Sequence, residues 1–356
     1  MTKKPKLTQV AESLGVSIAT VSNAFNRPDQ LSAKTRERIL AESARLGYHG
    51  PSLAARSMRM GASGIIGVIC ADSLSDTFSD PVANQFLEGI AEVLVQNNKQ
   101  LLLLSSGVQS VEQRSAESLP DGLIIYGAIP RETLELIQRV KKPMVIVDGI
   151  SEELHSVNVD GQSGAYKTAN HAFSNSLSQN LLKIKSNSIK VSILGLKLVD
   201  VQRVCRLTNE DISHLPHDRL TGYVEAAAAH NIEIPADKMW HIPTNNHYYA
   251  EIAAREALMT LQQPNILLCM SDVIALSAIK VAKKLGLRVP QDVQITGFDG
   301  IPEASRSEPG LTTINQQSVE KGRAAATLLL DSIKSGSKPQ HVALETLLVV
   351  RGSCPE

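Results

Sequence analysis

From residue 64 onward, short unbroken apolar runs alternate with stretches whose apolar residues recur every three or four positions. The runs Ile65–Cys70, Gln100–Leu104, Gly122–Ile125 and Met144–Val147 predict strands, with helices at about Val82–Asn97 and Glu132–Lys141. A second series follows Asp160, with strands at Val191–Leu196, Ile266–Met270 and Val293–Gly297. Its helices fall near Gly164–Phe173, Arg219–His230, His247–Gln262 and Val273–Leu285. Strands that are apolar throughout are buried on both faces, as in parallel α/β sheets covered by helices. Two such series predict two lobes, with a ligand site between them at the carboxyl ends of the strands.

The first 50 residues follow a different pattern, three short amphipathic helices. Thr8 is placed to cap the first, whose apolar face is Val10, Ala11 and Leu14, and Gly15 closes it with a left-handed turn. Ser17 caps the second, with Val21, Ala24 and Phe25 inward. Ser32 starts the third, whose core stripe is Ile39, Leu40, Ala44 and Leu46 and which ends at Gly47. Two short helices about a Gly-containing turn, braced by a third, form a helix-turn-helix. The outward face of the second helix carries Ile18, Ala19, Thr20, Ser22, Asn23 and Asn26. A merely solvated face would carry Glu and Lys, whereas short neutral groups suit close approach to bases and phosphates. A small bundle with no DNA function is the alternative.

Charge sharpens this division. The chain of 356 residues has 36 Lys and Arg against 36 Asp and Glu, so its net charge is zero. Residues 1–60 nevertheless carry 10 basic against 4 acidic groups, a net of +6, and the remainder carries −6. A basic head on an acidic body fits nucleic-acid contact at one end. Aromatics are only 3%, which argues against a binding wall of stacked rings. Cys70, Cys205, Cys269 and Cys354 are scattered, with no CxxC pair, which argues against a disulfide framework or a structural zinc site. The basic start lacks an apolar leader, and no apolar run reaches the roughly 18 residues of a membrane span, so a cytoplasmic protein is expected.

The head resembles the lactose/galactose repressor family of bacterial transcription regulators. Its pattern V-A-x-x-x-G-V-S-x-x-T-V-S-x-x-x-N is met by Val10, Ala11, Gly15, Val16, Ser17, Thr20, Val21, Ser22 and Asn26. Ser32, Thr35, Arg36 and the Gly47-Tyr48 ending also match. The resemblance implies that Ile18, Ala19 and Asn23 read bases in the major groove, and that Thr8, Ser17, Thr20, Asn26, Ser32 and Thr35 hold phosphates. Most members carry Arg where this chain has Asn23. Arg pairs with guanine and Asn with adenine, so a departure from the usual half-site follows unless Asn23 meets only backbone or water. In PSLAARSMRMGAS, Ser52 to Arg59 matches a hinge helix that folds on DNA and enters the minor groove, with Ala55 and Met58 facing it. A plain basic linker is the alternative.

The resemblance continues over nearly the whole chain and implies a periplasmic-binding-protein type I body of two parallel-sheet lobes. It divides the chain into a helix-turn-helix domain at 1–50, a hinge helix at 51–60 and a body at 61–356. Lobe 1 spans about 61–160 and 315–338, and lobe 2 about 161–314 and 339–356. Landmarks are Asp121 to Ile125, Asp148, Asp160, Arg219-x-x-Gly222-Tyr223, Ser271-Asp272, Gly297-Phe298-Asp299 and Leu311-Thr312-Thr313-Ile314. The implied effector site is led by Arg219, a fixed donor fork, and Asp299, an acceptor for hydroxyl or N–H groups. Tyr126, Asp148, Asn245, Ser271 and Ser318 are further lining candidates, with ordinary turn or capping chemistry as the alternative for each. The usual N-P-aromatic-aromatic reads Asp80-Pro81-Val82-Ala83 here, and Phe78 is placed to supply the missing ring. Residues 174–188 and 201–215 depart from the family, which predicts a looser second lobe and bars transfer of effector identity.

Enzyme chemistry finds no motif: there is no GxSxG elbow and no Walker loop. His214 and His217 lack further ligands at fixed spacing, so neither a metal nor a cofactor is expected. The combined reading is a ligand-responsive, sequence-specific repressor. It binds a pseudo-palindromic operator as a homodimer, with a sugar or nucleoside-like effector between its lobes. A dimer is expected because the chain stops at RGSCPE without a leucine heptad. A transport solute-binding protein would explain the body but not the head.

Overall fold

The computed structural model describes residues 7–50, 62–105, 120–127, 129, 131–139, 141–149, 151–178, 189–212 and 218–356. No helix among these residues is long and apolar enough to cross a membrane. The head consists of α1 (Leu7–Leu14), α2 (Ile18–Asn26) and α3 (Ala33–Arg45) around buried Val10, Ala11, Val21, Ala24 and Ile39. Phe25 meets Tyr48 edge to face at 5.5 Å, closing the rim of this small core. Gly15 takes φ 64° between α1 and α2, as the turn requires. Two expectations shift here. α1 begins at Leu7, so Thr8 lies within its first turn rather than capping it. On α3, Ala44 is exposed and Ser43 is buried in its stead, satisfying its hydroxyl on the Ile39 carbonyl at 2.7 Å.

The body places two sheets in sequence. The first contains β1 (Ile65–Cys70), β2 (Gln100–Ser105), β3 (Gly122–Tyr126), β4 (Met144–Val147) and β5 (His155–Val159). Between them run α4 (Leu74–Ser79), α5 (Pro81–Gln96) and α6 (Arg131–Gln138). After α7 (Gly161–Ser178) come β6 (Val191–Leu196), β7 (Cys205–Arg206), α8 (Asn209–Ile212) and α9 (Asp218–Ala229). Then follow β8 (Met239–Ile242), α10 (His247–Leu258), β9 (Ile266–Cys269), α11 (Asp272–Lys284), β10 (Gln294–Asp299) and α12 (Pro302–Arg306). The chain ends with β11 (Thr312–Asn315), α13 (Ser318–Ser335), β12 (His341–Leu344) and β13 (Leu347–Val349).

The first sheet has the order β12-β5-β4-β3-β1-β2 and is parallel throughout. The second has the order β13-β11-β10-β9-β6-β8-β7, parallel except for its two edge strands, which run antiparallel. Strands such as Leu123–Ile125 and Ile266–Cys269 are buried on both faces, as their continuous apolar sequence demands.

The assignment of 339–356 to the second lobe needs correction. β12 pairs with β5 in the first sheet, from His341 opposite Ser156 to Leu344 opposite Val159, so the final crossing falls between Leu344 and Leu347. This strand is short and half-exposed, and its edge position gives it no unbroken apolar run to announce it. The described part of the segment 201–215, residues 201–212, is less irregular than its composition suggests, since it holds the edge strand β7 and the short helix α8.

Candidate functional site

The face of the head expected to meet nucleic acid is organised by caps. The Ser17 hydroxyl opens α2 by accepting the Thr20 N–H at 3.0 Å, and it also pairs with the Thr20 hydroxyl at 2.8 Å. Ser32 repeats the arrangement at α3, with the Thr35 N–H at 3.2 Å and the Thr35 hydroxyl at 2.8 Å. These caps fix where each helix begins, and so where its N–H dipoles point. Ile18 is 50% exposed and Ala19 is exposed beside it at the start of α2. Asn23 is half-buried and donates from Nδ2 to Gln30 Oε1 at 3.3 Å. Asn26 donates to the Ser22 carbonyl at 2.9 Å, while Ser22, expected to face outward, is buried. Ala55 and Met58 lie outside the described residues, as do His214 and His217.

In the body, side chains converge where the two sheets' carboxyl ends approach. Arg219, at the start of α9, lies over the Phe298 ring with Cζ 3.8 Å from its centre. Its Nη1 donates to the Met270 carbonyl at 2.5 Å and stands 3.5 Å from Asp299 Oδ1. Asp299 ends β10 at φ 133° and is buried. Its carboxylate also accepts from Gln316 Nε2 at 2.9 Å and from the Asp272 N–H at 3.3 Å. Burial pushes Asp299 well above the usual carboxylate range, while Arg219 opposes the shift. Asp272 accepts from the N–H groups of Gly300 and Ile301 at 2.8 and 2.9 Å and from the Thr313 hydroxyl at 2.5 Å. Burial still pushes it up to about 6.

The first lobe faces this cluster with an acidic wall. Asp80 caps α5 through the Val82 N–H at 3.0 Å, and burial raises its pKa although Lys197 and Arg219 lie near enough to pull it down. Tyr126 stacks on Phe86 at 4.2 Å, and burial, then the carboxylates of Asp148, Asp80 and Asp299, push its hydroxyl well above its ordinary value. Asp72, Asp80, Tyr126 and Asp148 line a cavity of about 120 Å³. Asp148, at φ 56° after β4, receives both its bonds from Lys321 Nζ, at 2.9 and 2.8 Å. The lobes also touch directly. Lys197 reaches Asp72 at 2.9 Å, and Val82, at the family's aromatic position, is buried in the second lobe's core cluster.

Of the expected lining residues, Arg219, Asp299, Tyr126 and Asp148 therefore face one another across the lobes. Asn245 and Ser271 are a hydrogen-bonded pair at 2.6 Å, with Ser271 also capping α11 through the Ile274 N–H. Ser318 is buried at the first turn of α13, and among the described residues its hydroxyl has no partner. Phe78 does not supply the missing ring: it is 60% exposed on α4, because the short helix turns Thr77 inward in its place. Sequence reading passed over Lys321 and Gln316. The signal was present, since Lys321 shares helical spacing with buried Ala325, Leu328, Leu329 and Ser332 and is thus a charge on a core face.

Comparison with known proteins bears on the family and the fold. Residues 6–51 match the model for bacterial regulatory proteins of the lacI family, and residues 201–354 match that of a periplasmic binding protein-like domain. The chain is 34% identical to an HTH-type transcriptional regulator of Mycobacterium tuberculosis, covering 98% of this chain and 96% of that one. It is 30% identical to the HTH-type transcriptional repressor CytR of Escherichia coli, covering 98% and 95%. A solved structure of a LacI-family regulator from Corynebacterium glutamicum superposes over all of both chains with a TM-score of 0.69 at 26% identity. Likeness of this extent covers head and body together, and the chain belongs to the lacI family of bacterial regulatory proteins, transcriptional regulators that bind DNA and are not enzymes.

Proposed function

We propose that the chain is a ligand-responsive repressor that binds a pseudo-palindromic operator as a homodimer, its affinity set by a small molecule held between the lobes. The observation that carries this reading is the convergence of Arg219 and Asp299 from one lobe on Asp80, Tyr126 and Asp148 from the other. A fixed donor fork opposite several acceptors suits a polyhydroxylated ligand such as a sugar or nucleoside. In the head, Ile18, Ala19 and Asn23 would read base edges. Thr8, Ser17, Thr20, Asn26, Ser32 and Thr35 would hold phosphates, and Ala55 and Met58 would enter the minor groove.

The domains follow as a head at 1–50, a hinge at 51–60 and a body at 61–356. Effector binding would change the closure of the lobes and with it the spacing of the two hinges. A coupling of about 1–3 kcal/mol corresponds to a 5–150-fold change in DNA affinity. The test is selection of bound duplexes from a random pool by the purified chain, with and without a metabolite extract. An enriched pseudo-palindrome whose recovery changes with the extract supports the reading. Uniform, salt-sensitive binding in both conditions contradicts it. Sedimentation showing a stable tetramer at micromolar concentration would contradict the dimer.

A further inference from the structure

The buried charges of the two lobes meet at one neutral side chain. Lys321 is only 1% exposed, and its ammonium donates to both Asp148 oxygens and to Gln316 Oε1 at 3.3 Å. An ammonium has three donors and no acceptor, so Gln316 can meet it only with its oxygen. The amide nitrogen is thereby turned the other way, where it donates to Asp299 Oδ1 at 2.9 Å. The reverse amide would set N–H groups against the ammonium and an oxygen against a carboxylate. Gln316 lies between β11 of the second sheet and α13, which packs on the first, so it sits in a crossing between the lobes. Asp148 belongs to the first lobe and Asp299 to the second.

We propose that Lys321 is a positioning residue that, by fixing the amide of Gln316, sets the polarity of the Asp299 carboxylate across the crossing. Asp299 then faces the cleft as an acceptor. One oxygen takes Gln316 and, more distantly, Arg219, while the other takes the Asp272 N–H at 3.3 Å. Two carboxylate oxygens offer about four lone-pair sites, so capacity remains for a donor from the cleft. That last step rests on the cleft being the effector site, whereas the Asp148–Lys321–Gln316–Asp299 relay does not.

Thermal unfolding of the full chain, which needs no effector, tests the relay. Gln316→Glu replaces the donor facing Asp299 with an acceptor. The charged groups around it are Lys321 from α13, Asp148 after β4, Asp299 from β10, Asp272 from α11 and Arg219 from α9. Q316E is expected to lower the Tm by at least about 3 °C near pH 8. The loss should shrink near pH 5.5, where a proton held by either carboxyl, the new one or Asp299, turns one of the two acceptors into a donor. Adding D299N should recover most of the loss near pH 8, because the Asn amide donates back. In a D148N/K321M background the Q316E loss near pH 8 should grow by at least about 2 °C, since no ammonium then faces residue 316.

A Q316E loss that is equal at both pH values and additive with D299N would overturn the proposal. So would a Q316E loss that is unchanged without Lys321. If the single Q316E chain does not accumulate, a Q316E/D299N chain that melts close to D299N supports the relay, and its failure to accumulate overturns it.

Discussion

Gly89 of α5 and Gly322 of α13 lie against each other's helix backbone: a Cβ on Gly89 would fall 2.0 Å from the Val319 carbonyl oxygen, and one on Gly322 2.1 Å from that of Phe86. Backbone is the least yielding of neighbours, so the approach of these helices depends on both missing side chains. Lys321 is the residue before Gly322, and the same approach seats its ammonium beside Asp148. Gly322→Ala is expected to destabilise the chain by about 1–3 kcal/mol through overpacking. Urea unfolding should show a lower midpoint with an unchanged slope. An unshifted midpoint would refute the close approach.

His241 gives the second lobe a dependence on pH. Its Nδ1 accepts the Val199 N–H at 3.1 Å and its Nε2 donates to the Val201 carbonyl at 2.7 Å, an arrangement only the neutral ring can make. Burial holds its pKa below the ordinary 6.5, although the Val201 bond works the other way. The unfolded chain therefore binds the proton more readily than the folded one. The stability this group contributes is complete above about pH 6.5 and is lost as pH falls through the folded pKa. Denaturant titrations from about pH 7 to 5 should show a shallower loss for His241→Gln than for the natural chain. Equal slopes would remove His241 from this role.

For the head, Asn23→Ala should weaken binding to the selected operator by about 1–3 kcal/mol and leave non-specific binding unchanged. Asn23→Arg should move the preferred half-site toward guanine, because a guanidinium pairs with O6 and N7. Repeating the duplex selection with each variant reads both effects. The same enriched sequence from all three proteins would mean that Asn23 reads no base.

For the cleft, Arg219→Lys keeps the charge but loses the planar fork that reaches the Met270 carbonyl and lies over Phe298. Operator binding should persist while the response to the active metabolite fraction falls at least about tenfold, the range of coupling given above. Titrations of labelled operator with and without that fraction make the comparison. A variant that responds normally would exclude Arg219 from the effector site.

Much of this molecule was legible along the chain because its signals are local. A serine before a helical stripe caps it whatever surrounds it, so Ser17 and Ser32 were identifiable at once. Strands buried on both faces need unbroken apolar runs, and β1, β4 and β6 lie on the residues the pattern marked. The strand β5 was missed because His155, Ser156 and Asn158 interrupt its apolar residues; His155 and Ser156 are satisfied by Ser332 and His341, distant in sequence, and Asn158 by the Gly149 backbone.

What only the tertiary structure decided depends on residues far apart in the chain. β12 joins the first sheet because its partner β5, some 185 positions earlier, has an open edge. Phe78 turns to solvent because α4 offers Thr77 to the interior. Lys321 is tolerated in a core because Asp148 and Gln316 meet all three of its N–H groups, and Gln316 acquires its orientation from that lysine and Asp299 together. Helix and strand signals arise between near neighbours and can be read in order. The polarity of a buried site arises from balancing donors and acceptors across two lobes, and that balance exists only once the chain has crossed between them.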